Sequence, residues 1–134
     1  MNINEENQVN TNSLLNVTPH ELAKEIELAL EGKKGEDIKI IKIDRKTAIA
    51  DYFVLCSGSS TTHVQALAKE LERLLAERDI SPTHIEGRDN NSWILIDYSN
   101  VVVHIFSYEA REFYNLERLY AQSEKSKDEN ITEE

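Results

Sequence analysis

The sequence predicts an α/β domain: a single mixed β-sheet with helices covering mainly one face, in the order α-β-β-α-β-β-β-α. Three observations carry this expectation. Segments 22–30 and 64–75 repeat apolar residues at helical spacing. Short runs at 38–44, 52–56 and 93–106 are rich in β-branched and aromatic residues, as strands are. The two kinds of segment alternate along the chain, which places helices and strands in adjoining layers.

The elements follow in order. Residues 1–17 form a polar lead with Asn at 2, 4, 7, 10, 12 and 16, and read as a disordered tail. Thr18-Pro19-His20-Glu21 is a capping box with proline at the first helical position. Leu22, Ile26, Ala29 and Leu30 mark one face of the helix that follows, and Gly32 ends it. Ile38–Asp44 and Tyr52–Cys56 read as strands joined through the polar link Arg45-Lys46-Thr47. Ser59 or Ser60 caps a long second helix striped by Val64, Leu67, Ala68, Leu71, Leu74 and Leu75. Ser81-Pro82 breaks the chain, His84-Ile85-Glu86 fits a short edge strand, and 87–91 is a loop. Ser107 caps a last helix striped by Phe113, Leu116 and Tyr120, with Glu109 and Glu112 in its first turns, where the helix dipole favours acids. The domain thus spans 18–121, and 122–134 is an acidic flexible tail.

The strand pair Trp93–Phe106 is the most informative segment. With Ser99-Asn100 as a two-residue loop, antiparallel pairing sets Tyr98 opposite Val101, Ile96 opposite Val103 and Ile94 opposite Ile105. That face is aliphatic apart from the tyrosine and belongs on the core. The other face pairs Trp93 with Phe106, Leu95 with His104 and Asp97 with Val102. Large apolar groups beside a carboxylate and an imidazole suit a docking surface. They equally suit a second core layer beneath a helix or tail.

Trp93-Ile-Leu-Ile-Asp-Tyr, Val101-Val-Val-His-Ile-Phe and Glu109-Ala-Arg-Glu-Phe-Tyr-Asn-Leu-Glu-Arg-Leu119 together resemble the ribosomal silencing factor family, RsfS, also called Iojap. So does the block Ala50-Asp-Tyr-Phe-Val-Leu-Cys-Ser-Gly-Ser-Ser-Thr-Thr-His-Val-Gln-Ala66. The likeness runs from about Thr18 to Leu119. The chain departs from the family pattern at Thr62 (arginine there), at Asn100 (aspartate) and at Tyr120-Ala121 (Trp-Gly). The resemblance implies a nucleotidyltransferase-like architecture without enzymatic activity. It implies docking on the large ribosomal subunit through ribosomal protein fourteen of that subunit, which would block joining of the small subunit and repress translation when nutrients are scarce. Trp93 would then be the apolar anchor, with Leu95 and His104 beside it on the same face. Asp97 would be the charged partner, and Tyr98 and Asn100 the rim.

Composition narrows the partners. A chain of 134 residues, 40% apolar, suits one small domain with a real core. One cysteine excludes an internal disulfide and fits a reducing cytoplasm. Without a long apolar run, no membrane span is expected, and an acidic, Asn-rich start is unlike a basic transit peptide. The net charge is −10; the lead carries −2 of it and the last thirteen residues −3, leaving −5 on the domain. Such a domain suits a basic protein rather than a phosphate backbone, so no direct nucleic-acid contact is expected. An uncovered apolar face is also compatible with a homodimer of the free protein.

Candidate chemistry is sparse. Ser57-Gly58-Ser59-Ser60 is a strand-to-helix turn whose N–H groups suit either an anion or a plain helix cap. It lacks the glycine spacing and lysine of a P-loop, and no Asp-x-Asp pair follows to hold magnesium. The histidines at 20, 63, 84 and 104 are dispersed, so neither a metal nor another cofactor is expected. Cys56, ending an apolar strand, reads as a buried small hydrophobe. Three functions stay in view: a silencing factor, a large-subunit assembly factor, and an enzyme of the nucleotidyltransferase type.

Overall fold

The computed structural model describes residues 12–43 and 50–120. Helix α1 (Pro19–Gly32) leads into strands β1 (Glu36–Lys42) and β2 (Tyr52–Gly58), followed by helix α2 (Thr61–Ala76). Strands β3 (His84–Glu86), β4 (Trp93–Asp97) and β5 (Val101–Ser107) come next, then helix α3 (Tyr108–Tyr114). The element order is the one the sequence predicts. The five strands form one sheet in the order β1-β2-β5-β4-β3. Every neighbouring pair is antiparallel except β2 and β5, which run parallel at the centre.

Each helix begins where a side chain satisfies its free N–H groups. Thr18 and Glu21 form the reciprocal capping box of α1, Ser60 caps α2, and Ser107 caps α3. The apolar stripes of α1 and α2 (Leu22, Ile26, Leu30; Val64, Leu67, Leu71, Leu75) are buried against one face of the sheet. Ile94, Ile96, Val101, Val103 and Ile105 meet them there, so the main core lies between these layers.

Several details depart from expectation. Strand β1 begins two residues early because a bulge between Glu36 and Lys39, with Asp37 at φ 48°, brings Glu36 opposite Ser57. Asp44, and the link Arg45-Lys46-Thr47, lie outside the described residues. The lead is not polar throughout: Leu14 is 2% exposed in the main core, and its N–H donates to the Arg78 carbonyl at the end of α2. The last helix is shorter than its predicted stripe. Asn115 adopts the left-handed conformation at φ 48° and ends α3, and a separate helical turn covers 116–120. Of the predicted stripe, Phe113 is 80% exposed, while Leu116 packs beside Leu55 and Phe106 and Tyr120 meets the Phe53 ring at 4.9 Å.

Helix α3 packs on the opposite side of the sheet from α1 and α2. Phe106, Leu55 and Ala110 form a second, smaller core there, flanked by Ile41, Phe53, Trp93 and Leu116. Arg111 fastens this layer. Its guanidinium donates to Ser57 Oγ at 2.9 Å, to the Asp37 carbonyl at 2.6 Å and to Glu117 at 2.8 Å, and Lys39 joins the same carboxylate at 3.0 Å. Strand β5 is buried along its whole length, because both faces are covered at the sheet centre.

Candidate protein-docking face

The β4–β5 hairpin has the register expected of a Ser99-Asn100 loop, from Trp93 opposite Phe106 to Asp97 opposite Val102. Ser99, at φ 75°, supplies the left-handed residue the reversal requires. The start of β4 is set by Gly87, at φ 92°, where a Cβ would lie 2.0 Å from the Trp93 carbonyl oxygen. On the mixed face, half-buried Trp93 stacks on Phe106 with centroids 5.2 Å apart and meets Tyr114 at 4.5 Å. Its indole N–H donates to His104 Nδ1 at 3.1 Å. A donor at Nδ1 requires a lone pair there, so the imidazole carries its proton on Nε2.

His104 lies beneath this surface rather than on it. It is 3% exposed, lies 4.6 Å from the Phe53 ring, and its Nε2 has no hydrogen-bond partner among the described residues. Burial lowers its pKa from 6.5 to about 4. Between those values the unfolded chain takes up a proton that the folded chain refuses. Stability is therefore full above pH 6.5 and declines as pH falls toward 4, by about 3 kcal/mol in all. Denaturant melts between pH 7 and pH 4.5 should show this loss, and His104→Gln, which keeps an acceptor for Trp93, should flatten it. An unchanged slope in the variant would assign the acid sensitivity elsewhere.

Other predicted contacts divide between the two faces. Tyr98 is 6% exposed on the main core face, so it does not belong to the rim of the mixed face. Burial, and then Glu72, push its phenol pKa up. Asp97 Oδ1 accepts the Ser99 N–H at 2.7 Å, so this carboxylate also shapes the loop. Its backbone carbonyl accepts both the N–H and the hydroxyl of Thr83. Asn100 is exposed at the tip, and its carbonyl accepts from the N–H groups of Asp51 and Tyr52. What remains presented is a strip of Trp93, Leu95 and Asp97, each partly exposed, ending at Asn100. Tyr114, Phe53 and Arg111 were missed as supports of this face. Ala110, a small apolar residue between charged ones, was the available signal for the buried side of α3.

The Ser57–Ser60 turn has its first serine buried and its last two at the surface, where they bond to His63. Ser57 is buried and its hydroxyl accepts from Arg111. A Cβ at Gly58 would sit 2.8 Å from Val64 Cγ2, so the close approach of strand and helix needs glycine. The Ser59 N–H donates to His63 Nδ1 at 2.8 Å, and Ser60 Oγ accepts the His63 N–H at 3.0 Å. His63 Nε2 in turn donates to the Lys33 carbonyl. This is a cap tied to the end of α1, with two of its groups already engaged. Cys56 is buried, and its thiol pKa is pushed up to about 12, chiefly by burial. Among the described residues no group of three or more His, Cys, Asp or Glu side chains could hold a metal ion, and no helix is long and apolar enough to cross a membrane.

The family model described as "Ribosomal silencing factor during starvation" matches residues 16–134. The chain belongs to the ribosomal silencing factor family. RsfS of Bacillus subtilis is 38% identical over 95 residues, spanning 71% of this chain and 80% of the relative. A mouse relative, "Mitochondrial assembly of ribosomal large subunit protein 1", is 34% identical over 94 residues, spanning 68% of this chain and 41% of its own. Crystal structures give the same fold. A Chromobacterium violaceum protein superimposes with a TM-score of 0.75 at 30% identity, covering 78% of this chain and 88% of that one. A Bacillus halodurans protein does so with a TM-score of 0.66 at 36% identity, covering 75% and 94%. The RsfS match begins at residue 16, just after Leu14 enters the core.

Proposed function

We propose that this RsfS-family chain is a non-enzymatic translation repressor of the cytoplasm. It docks on the large ribosomal subunit through ribosomal protein fourteen of that subunit and blocks small-subunit joining under nutrient limitation. The observation that carries this reading is the strip Trp93–Leu95–Asp97. It lies on the sheet face away from α1 and α2, where an indole held by Phe106, Tyr114 and His104 stands beside a carboxylate. A rigid, preorganised aromatic anchor with an acidic neighbour is the chemistry that recognises a basic protein surface. The name of the mouse relative favours a second reading, a role in large-subunit assembly, which would use the same strip. No Asp-x-Asp pair follows Ser57–Ser60, Glu70 and Glu72 are paired with Arg73 and Arg88, and the turn's groups serve as a helix cap, which together weigh against phosphoryl chemistry.

Fractionation of a starved-cell lysate on a sucrose gradient tests the proposal. The chain should co-sediment with free large subunits and be scarce on polysomes. Finding it only at the top of the gradient, in starvation and in growth alike, overturns it. Enrichment on immature large-subunit particles alone would select the assembly role.

A further inference from the structure

The inner side of α3 is accounted for by Arg111 and Ala110, but its outer side is not. Phe113 is 80% exposed and Tyr114 is 48% exposed on a helix otherwise fixed to the sheet. An aromatic ring that open loses burial for no structural gain, and such patches mark contact sites. Phe113 meets Tyr114 edge-on with centroids 5.0 Å apart, and Tyr114 meets Trp93 at 4.5 Å. The three rings form a continuous ridge running from the strip onto the helix. Beside the ridge is a groove lined by Glu109, Glu112, Phe113 and Tyr114, with Thr61 and Ser92 on its far wall.

We infer that this groove is a second contact of the same docking event and takes a protein segment bearing an arginine or lysine. The inference rests on the proposed docking role and extends its footprint from β4 onto α3. Two carboxylates and two aromatic rings around one groove match a cation with an aliphatic stem. The charge is held by Glu109 and Glu112, and the stem or the guanidinium plane lies on the rings. A phosphate backbone would meet two carboxylates and be repelled. A second copy of this chain is disfavoured by the net charge of −10 that it would bring. A basic protein segment is the occupant that fits both charge and shape.

The test uses the full chain, purified large ribosomal subunits, and the photocrosslinker p-benzoylphenylalanine in place of either Phe113 or Leu95. Irradiation of the position-113 chain on subunits should give an adduct with a basic ribosomal protein, identified by mass spectrometry. Phe113→Ser should weaken subunit binding at least tenfold without shifting the melting temperature, because the ring is open to solvent. The paired change Glu109→Gln and Glu112→Gln should weaken binding similarly and make it less sensitive to salt. A position-113 adduct with ribosomal RNA or with a second copy of this chain overturns the inference, as does a bound chain giving no position-113 adduct. If position 95 crosslinks while position 113 does not, only the extension fails. If the wild-type chain does not bind subunits and neither position crosslinks, the docking role fails with it.

Discussion

Replacing Ile96 with alanine is expected to destabilise the domain by about 2–5 kcal/mol, whereas Leu95→Ala, one residue away, should have a much smaller effect. Ile96 is 0% exposed, pairs with Val103 on one side and Ile85 on the other, and meets the layer built by α1 and α2. Alanine there leaves a void that close-packed neighbours cannot fill. Leu95 points the other way, is only half-buried, and has solvent to replace its lost contacts. Chemical denaturation of both variants measures the difference. Equal losses would mean that the mixed face is as much core as the aliphatic one, and the strip would lose its claim to be a surface. Trp93→Ala is a poorer probe than its position suggests. It removes the indole donor to His104 and the stack on Phe106 along with any partner contact.

The second large effect concerns binding. Asp97→Arg should weaken association with the large subunit at least a hundredfold, since like charges brought together at an interface cost several kcal/mol. The same change removes the acceptor for the Ser99 N–H, so a stability loss of about 1 kcal/mol should accompany it. Asp97→Asn separates the two contributions, because its side-chain oxygen keeps the loop bond while the charge is gone. That variant should melt like the wild type and bind less tightly, though more tightly than the arginine form. Sedimentation binding with purified subunits, beside thermal melts, reads both quantities. Wild-type affinity in both variants would remove Asp97 from the interface.

The fold was legible because its signals are local. Caps at Thr18, Ser60 and Ser107, helical stripes, and period-two alternation in β4 each depend on neighbours within a few residues. The hairpin register also followed from a two-residue loop. What stayed hidden depends on distant partners. That β2 and β5 lie side by side, and that Arg111 reaches Ser57 and the Asp37 carbonyl, are tertiary facts without a sequence period. On the mixed face burial divides by strand: Val102, His104 and Phe106 of β5 are buried, and their β4 partners Asp97, Leu95 and Trp93 are partly exposed. The last helix is the exception: Asn115, left-handed, separates Phe113, which is exposed, from Leu116 and Tyr120, which reach the sheet. Asp97 carries a turn signature as well as a charge, since it stands two residues before the loop serine whose N–H it accepts.

The central placement of β5 has a consequence for how this chain folds as it is made. Tyr52 of β2 pairs with Val101, about fifty residues further on, so a long loop must close before the two middle strands meet. Until residues 101–107 have been synthesised, the segment holding α1, β1, β2 and α2 has an open edge at β2 and only the β1–β2 part of the floor beneath its apolar stripes. An unpaired apolar edge is a site for wrong pairing. The sheet of the nascent domain therefore stays incomplete until its last strand, β5, emerges.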